Sequence, residues 1–257
     1  MPLPVRLLSL VVAAVVLPAC GPGPALYAAE VAPTATVVDG DVGEWPSALR
    51  PVPGEGGLVI GLRREGDDLI VAVIATDERQ TRRVVLGGLT VWVDPDGGTD
   101  RALGIRYPAP DEVTARDLRD VAAARDGDTA DTPALRRRYQ AGTEAVVVTR
   151  GVVAQRTQGD GRFRGLEVAS TWGRRGLAVE MRVPLSATSG LLETPPAEAV
   201  GLGIELIDGP RPPRSGRPRG ERPSRPQPDE PLADQTPRSE RPAIDLPTVT
   251  RWLRIDL

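Results

Sequence analysis

From about residue 34 to residue 208, short apolar runs alternate with Gly, Pro and Asp, a pattern of many strands and few helices. Leu177, Val179, Met181 and Val183 share one face of a two-residue repeat, with Ala178, Glu180 and Arg182 on the other. This spacing predicts a half-buried antiparallel strand. Leu202, Ile204 and Leu206 alternate in the same way with Gly201, Gly203 and Glu205, while Val249, Arg251, Leu253, Ile255 and Leu257 make one face of a final strand. By contrast, residues 69–74 (Leu-Ile-Val-Ala-Val-Ile) are apolar on both faces, as suits a central strand covered on two sides. Further strands are predicted over 57–63, 89–94, 102–107, 144–150 and 164–170. About ten strands separated by turn signals predict an all-β fold, a two-sheet antiparallel β-sandwich of jelly-roll-like type.

Two stretches break this rhythm. Val113, Leu118, Val121 and Ala122 recur at near-helical spacing, and Asp131-Thr132-Pro133 reads as an N-cap with proline in the first turn, so residues 109–142 are expected to form a short helical insertion. Residues 209–243 hold 10 Pro, 8 Arg and 5 acidic residues with Leu232 almost alone as a large apolar side chain. Such a segment buries too little to offset its ordering entropy and is expected to be a disordered Pro/Arg-rich loop before the last strand. The sandwich is thus expected over 34–208 plus 244–257.

The N-terminus changes the setting. Leu7 to Leu17 form an apolar run after Arg6, the layout of a signal peptide over residues 1–19, and the run is too short for a bilayer, which needs ~20 residues. It ends in Leu17-Pro18-Ala19-Cys20, which resembles the lipobox of bacterial lipoproteins, where cleavage precedes an acylated cysteine. Cys20 is the only cysteine of the chain, so no intrachain disulfide is available. Residues 20–33 read as a tether. Gly at position 21, by resemblance to lipoprotein sorting, points to the outer membrane. Net charge is −3, so bulk electrostatics call for no nucleic acid.

The motif Thr36-Val37-Val38-Asp39-Gly40-Asp41-Val42-Gly43-Glu44-Trp45 resembles the opening of family 9-like carbohydrate-binding modules and related DOMON-type sandwiches. In the family's order follow Asp68 to Val73 with Thr76-Asp77, Val91-Trp92-Val93-Asp94-Pro95, Leu177 to Leu185, and Gly201 to Asp208. The resemblance implies a jelly-roll β-sandwich, usually appended to enzymes or displayed on surfaces, in which some members clamp a sugar between aromatic rings near bound calcium. Together with the lipobox it leads to the expectation of a non-catalytic, lipid-anchored carbohydrate-binding module of the cell envelope, monomeric.

Sugar C–H faces stack on Trp or Tyr. The chain has four Trp, three Tyr and one Phe. Trp45, Trp92 and Trp252 are expected in packing. Trp172 lies in a predicted turn and is the leading ligand-binding candidate, with Tyr107 and Tyr139 beside it. Asp94, Asp96 and Asp100 on a Gly-rich turn are candidate ligands of a structural calcium, with an ordinary Asp/Gly turn as the alternative, while Asp39, Asp41 and Glu44 are read as caps of the opening turn. Enzymes are the second class, a glycoside-processing one in particular. The chain has no histidine, which removes His-based triads, shuttles and the usual haem ligands. No carboxylate pair stands out for glycoside hydrolysis. A structural or protein-interaction lipoprotein that keeps the sandwich without a sugar site is the alternative to glycan binding.

Overall fold

The computed structural model describes residues 24–32, 34–45, 47–109, 132–141, 145–149, 152–157, 162–173, 175–207 and 248–257. The expected signal peptide, Cys20, the helix expected within 111–125 and the Pro/Arg-rich stretch 209–243 lie outside these residues.

Two sheets pack face to face. In chain order the strands are β1 (Ala25–Ala28), β2 (Glu30–Val31), β3 (Arg50–Pro51), β4 (Leu58–Glu65), β5 (Asp68–Ala75), β6 (Leu89–Asp94), β7 (Leu103–Tyr107), β8 (Val146–Thr149), β9 (Val152–Arg156), β10 (Arg162–Phe163), β11 (Leu166–Gly173), β12 (Gly176–Pro184), β13 (Ala199–Ile207) and β14 (Thr248–Asp256). The first sheet runs β1-β14-β13-β6-β7-β8-β9, the second β10-β11-β12-β5-β4-β2 with β3 also on β4. All pairings are antiparallel except those of β1 with β14 and of β2 with β4. Residues 25–31, expected in a tether, are therefore two short edge strands. Ala25 and Tyr27 turn toward the core while Leu26 and Ala28 turn out, a two-residue alternation too brief to stand out in the sequence.

The interior follows the two-residue repeat. Leu69, Val71 and Val73 of β5 and Leu177, Val179, Met181 and Val183 of β12 meet Leu89, Val91 and Val93 of β6 and Leu202, Ile204 and Leu206 of β13 in one buried cluster. All but the first residue of β5 are buried, as a central strand covered on both faces requires.

What covers the outer face of β5 is a second cluster: Val42, Trp45 and Ala48 lie over Ile70, Ala72, Ile74 and Ala178. The expected solvent face of β12 is consequently not solvated, and Glu180 is fully buried beneath this cover. Gly40 permits the cover's close approach, since with φ +80° a Cβ there would stand 2.6 Å from the backbone of Ser170. Asp39 accepts from the Asp41 amide (2.7 Å) and Asp41 from the Gly43 amide (2.9 Å), so these acids cap the opening turn.

A helix unanticipated from the sequence, α1 (Glu78–Gly87), connects β5 to β6. Asp77 caps it by accepting from the Gln80 amide at 2.8 Å, and Gly88 follows its end. Its Arg83 meets Glu55 (3.0 Å), which also holds Arg251 of β14 (3.0 Å), so the helix and the loop before β4 close one end of the sandwich. Within the expected helical insertion, α2 spans Thr132–Ala141 with Pro133 in its first turn.

The tryptophans expected in packing do not sit between the sheets. Trp92 and Trp252 lie on the outer face of the first sheet. Cross-strand register sets Gly104, Trp92, Gly203 and Trp252 in one row over four strands. A Cβ on Gly104 would come within 2.6 Å of the Trp92 ring, and one on Gly203 within 3.0 Å of Trp252. Trp45 repeats the arrangement on the second sheet, 2.5 Å from where a Gly61 Cβ would be. Each indole thus lies against bare backbone. Glu205 holds this outer surface together by accepting from the Trp92 indole N–H (3.2 Å) and the Thr250 hydroxyl (2.9 Å) while pairing with Arg101 (2.5 Å).

Candidate functional site

Three side chains singled out as ligand candidates meet at one end of the sandwich. Tyr107 ends β7, Trp172 stands on β11, and Tyr139 comes from α2, which Leu135 anchors in the core. Ser170 joins them. Its Oγ lies 2.7 Å from the Tyr107 hydroxyl and within hydrogen-bonding distance of the Tyr139 hydroxyl. A serine hydroxyl carries one proton and two lone pairs, so it can serve both phenols at once.

The rings pack as well as hydrogen-bond. Tyr139 meets Trp172 edge-on, with centroids 5.8 Å apart and planes at 79°. The Arg136 guanidinium stands 5.0 Å from the Trp172 ring centroid. Tyr107 is buried, whereas Tyr139 and Trp172 are half-buried against the core. Burial raises the pKa of both phenols above the ordinary value, against the lowering effect of their bonds to Ser170, so both are neutral donors at physiological pH. The assembly offers aromatic surface, three hydroxyls and a guanidinium in one place.

Trp172 is not in a turn. It belongs to β11, pairs with Leu177 of β12, and shares the inward side with Leu166, Val168 and Ser170. Ser170 and Arg136 were not singled out from the sequence. Their partners stand 63 and about 36 positions away, and nothing local marks a serine as a bridge.

The three acidic candidates lie on one turn, away from these rings. Asp94 is buried and uses both carboxylate oxygens on its own turn, accepting from the amides of Asp96 (3.0 Å) and Asp100 (2.8 Å). Asp96 and Asp100 are exposed and line, with Arg101, Leu191, Leu192 and Glu193, a cavity of about 490 Å³. Among the described residues no group of three or more His, Cys, Asp or Glu stands close enough to hold a metal. Both Asp94 oxygens thus act as acceptors within the Asp/Gly turn that was the alternative to an ion site. A chelator is expected to leave the thermal midpoint unchanged in differential scanning calorimetry, and a drop restored by added calcium would overturn this.

One carboxyl is held above its ordinary pKa. Burial raises the Glu180 pKa despite bonds donated by the Gly40 amide (3.0 Å), the Trp45 indole N–H (2.9 Å) and the Asp39 amide (3.1 Å). Both oxygens are occupied and the group lies under Trp45, on the opposite face of its sheet from Ser170, so it fastens the cover.

No family model matches this chain, and neither does any curated protein. Among solved structures, it is similar to a family 9 carbohydrate-binding module from Caldicellulosiruptor kristjanssonii in complex with glucose, at 12% identity and TM-score 0.34, over 71% of this chain and 78% of that one. It is also similar to a family 9 module from the same organism in complex with cellotriose, at 12% identity and TM-score 0.32, over 72% and 76% of the two chains.

Proposed function

We propose that this chain is a non-catalytic carbohydrate-binding module of the bacterial cell envelope, anchored through acyl chains on Cys20 to the outer membrane. The observation that carries the reading is the meeting of Tyr139 and Tyr107 on Ser170, with Trp172 packed against Tyr139 and Arg136. Indole and phenol rings suit the C–H faces of a sugar, and hydroxyls and a guanidinium suit its oxygens. The absence of histidine supports a binding role over turnover, as does the saturation of Glu180 by three donors.

A second reading has its own support. Tyr139 and Arg136 already occupy the surroundings of Trp172, and Tyr107 is only 4% exposed. This self-filled arrangement suits a lipoprotein that keeps the sandwich for structural or protein-interaction purposes. A glycan array separates the two. Under the first reading the parent binds and Trp172→Ala loses at least about tenfold in affinity, on the order of the 1.4 kcal/mol that one stacking contact supplies. A parent that binds no glycan leaves the second. The anchor is tested on its own by mass spectrometry of the processed protein, where an unmodified thiol at Cys20 would sink it.

A further inference from the structure

The chain joins the sandwich along one long side. β1 is the outermost strand of the first sheet and β2 the outermost of the second, and Ala29 alone separates them, so the two free edges run together there. The large apolar side chains most exposed among the described residues are Leu26 (66%), Val31 (82%) and Val37 (65%), all before residue 38. Leu26 and Val31 stand on those two edges, and each has an arginine as cross-strand partner: Arg254 opposite Leu26 and Arg64 opposite Val31. Arg50, on β3, is exposed and lines a cleft of about 570 Å³ with residues 25–28, over Ile60 and Leu62. Among the described residues these guanidiniums bond backbone carbonyls, Arg50 through Nη1 to Ser47 and Leu49, Arg64 through Nε to Gly66, and Arg254 through Nη1 to Gly97. Two carboxylates share the side, Glu30, which accepts from Ser47, and Asp256, opposite Ala28.

We infer that this side is the bilayer-facing surface of the domain. Leu26 and Val31 enter the boundary between acyl chains and headgroups, and Arg50, Arg64 and Arg254 meet anionic headgroup phosphates. The inference rests on the proposed acylation of Cys20 for its geometry. Five residue steps separate Cys20 from Ala25, and at roughly 3.5 Å per step the start of β1 lies within about 17 Å of the lipidated cysteine. A short leash of this kind brings the β1–β2 side to the membrane before any other. The side chains found there are the pairing that interfaces favour, apolar groups flanked by long cations whose heads reach the phosphates.

The test uses the processed protein in vesicles of phosphatidylethanolamine and phosphatidylglycerol. Nitroxide labels are placed by Leu26→Cys, Val31→Cys and, on β10 at the opposite edge of the second sheet, Arg162→Cys. Acylated Cys20 takes no label. The expected result is that labels at 26 and 31 collide preferentially with oxygen and lose access to a water-soluble nickel chelate, while the label at 162 keeps it. Combining Arg64→Glu with Arg254→Glu, or replacing the anionic lipid with phosphatidylcholine, is expected to reduce that protection. Equal nickel access at all three positions would overturn the inference. Should mass spectrometry find Cys20 unmodified, the anchor alone falls, and the labelled chain is added to the same vesicles: protection at 26 and 31 sustains the surface, and its absence overturns it.

Discussion

Replacing Glu180 by Ala is expected to lower stability by about 2–5 kcal/mol, because two buried donors and one part-buried donor lose their acceptor at roughly 1–3 kcal/mol for each buried one with partial relaxation. The donors are the Asp39 and Gly40 amides and the Trp45 indole. Glu180→Gln is expected to cost less, since its carbonyl oxygen still accepts the two amides, and only the indole N–H is left facing another donor. Chemical denaturation at neutral pH measures both. The pH dependence gives an independent check. A carboxyl whose folded pKa is raised, here above 4.5, contributes stability that is fully present below its unfolded value and is lost as pH rises through the folded one. Parent stability attributable to this residue should therefore decline above about pH 4.5, and the decline should be missing in Glu180→Gln. A flat difference between the two across that range would show that the charge is not penalised by burial.

Gly61→Val is the second large effect. The position lies in β4 beneath Trp45, and a Cβ would stand 2.5 Å from Cε3 of the ring and 3.0 Å from Cζ3. Real side chains do not approach so closely, so the indole must lift, exposing Ile70, Ala72 and Ile74 and pulling its N–H from Glu180. Overpacking costs about 1–3 kcal/mol and the lost buried bond about 1–3 more, for an expected total of about 3–5 kcal/mol. The β-branched residue itself favours a strand, so a stability gain would mean that the ring has a second seat. Gly56→Ala, where nothing lies within 4 Å of the new Cβ, is the matched control and should change little.

How much of this was legible depended on whether the information was local. The two-residue repeat in Leu177–Val183 and in Leu202–Leu206 named inward residues correctly because burial on one face is written into adjacent positions. The same repeat also marks two of the indoles: Trp92 shares its face with Thr90 and Asp94, and Trp252 with Thr250 and Arg254, a parity that points away from the apolar side. Glu180 offered no such clue. Its cover arrives from about 140 positions earlier in the chain, and polarity on alternate residues looks the same whether water or a folded segment lies above. Helix α1 was obscured by its composition, since Glu-Arg-Gln-Thr-Arg-Arg reads as a polar turn unless Asp77 is recognised as its cap. For the candidate site, aromatic type sufficed to choose Trp172, Tyr107 and Tyr139, but only three-dimensional folding shows that Ser170 joins the two tyrosines and that Tyr139 packs on Trp172.

The placement of the indoles also determines what an optical signal can report. Trp45, Trp92 and Trp252 rest on outer sheet surfaces, and Trp172 alone of the four packs against the edge of the interior, at the sandwich's end. Emission spectra followed during denaturation should be weighted toward the peeling of peripheral layers, with Trp172 alone reporting on the interior. Ultraviolet fluorescence and backbone dichroism would then give separate midpoints for a single chain, and their separation would measure how firmly its coverings are attached.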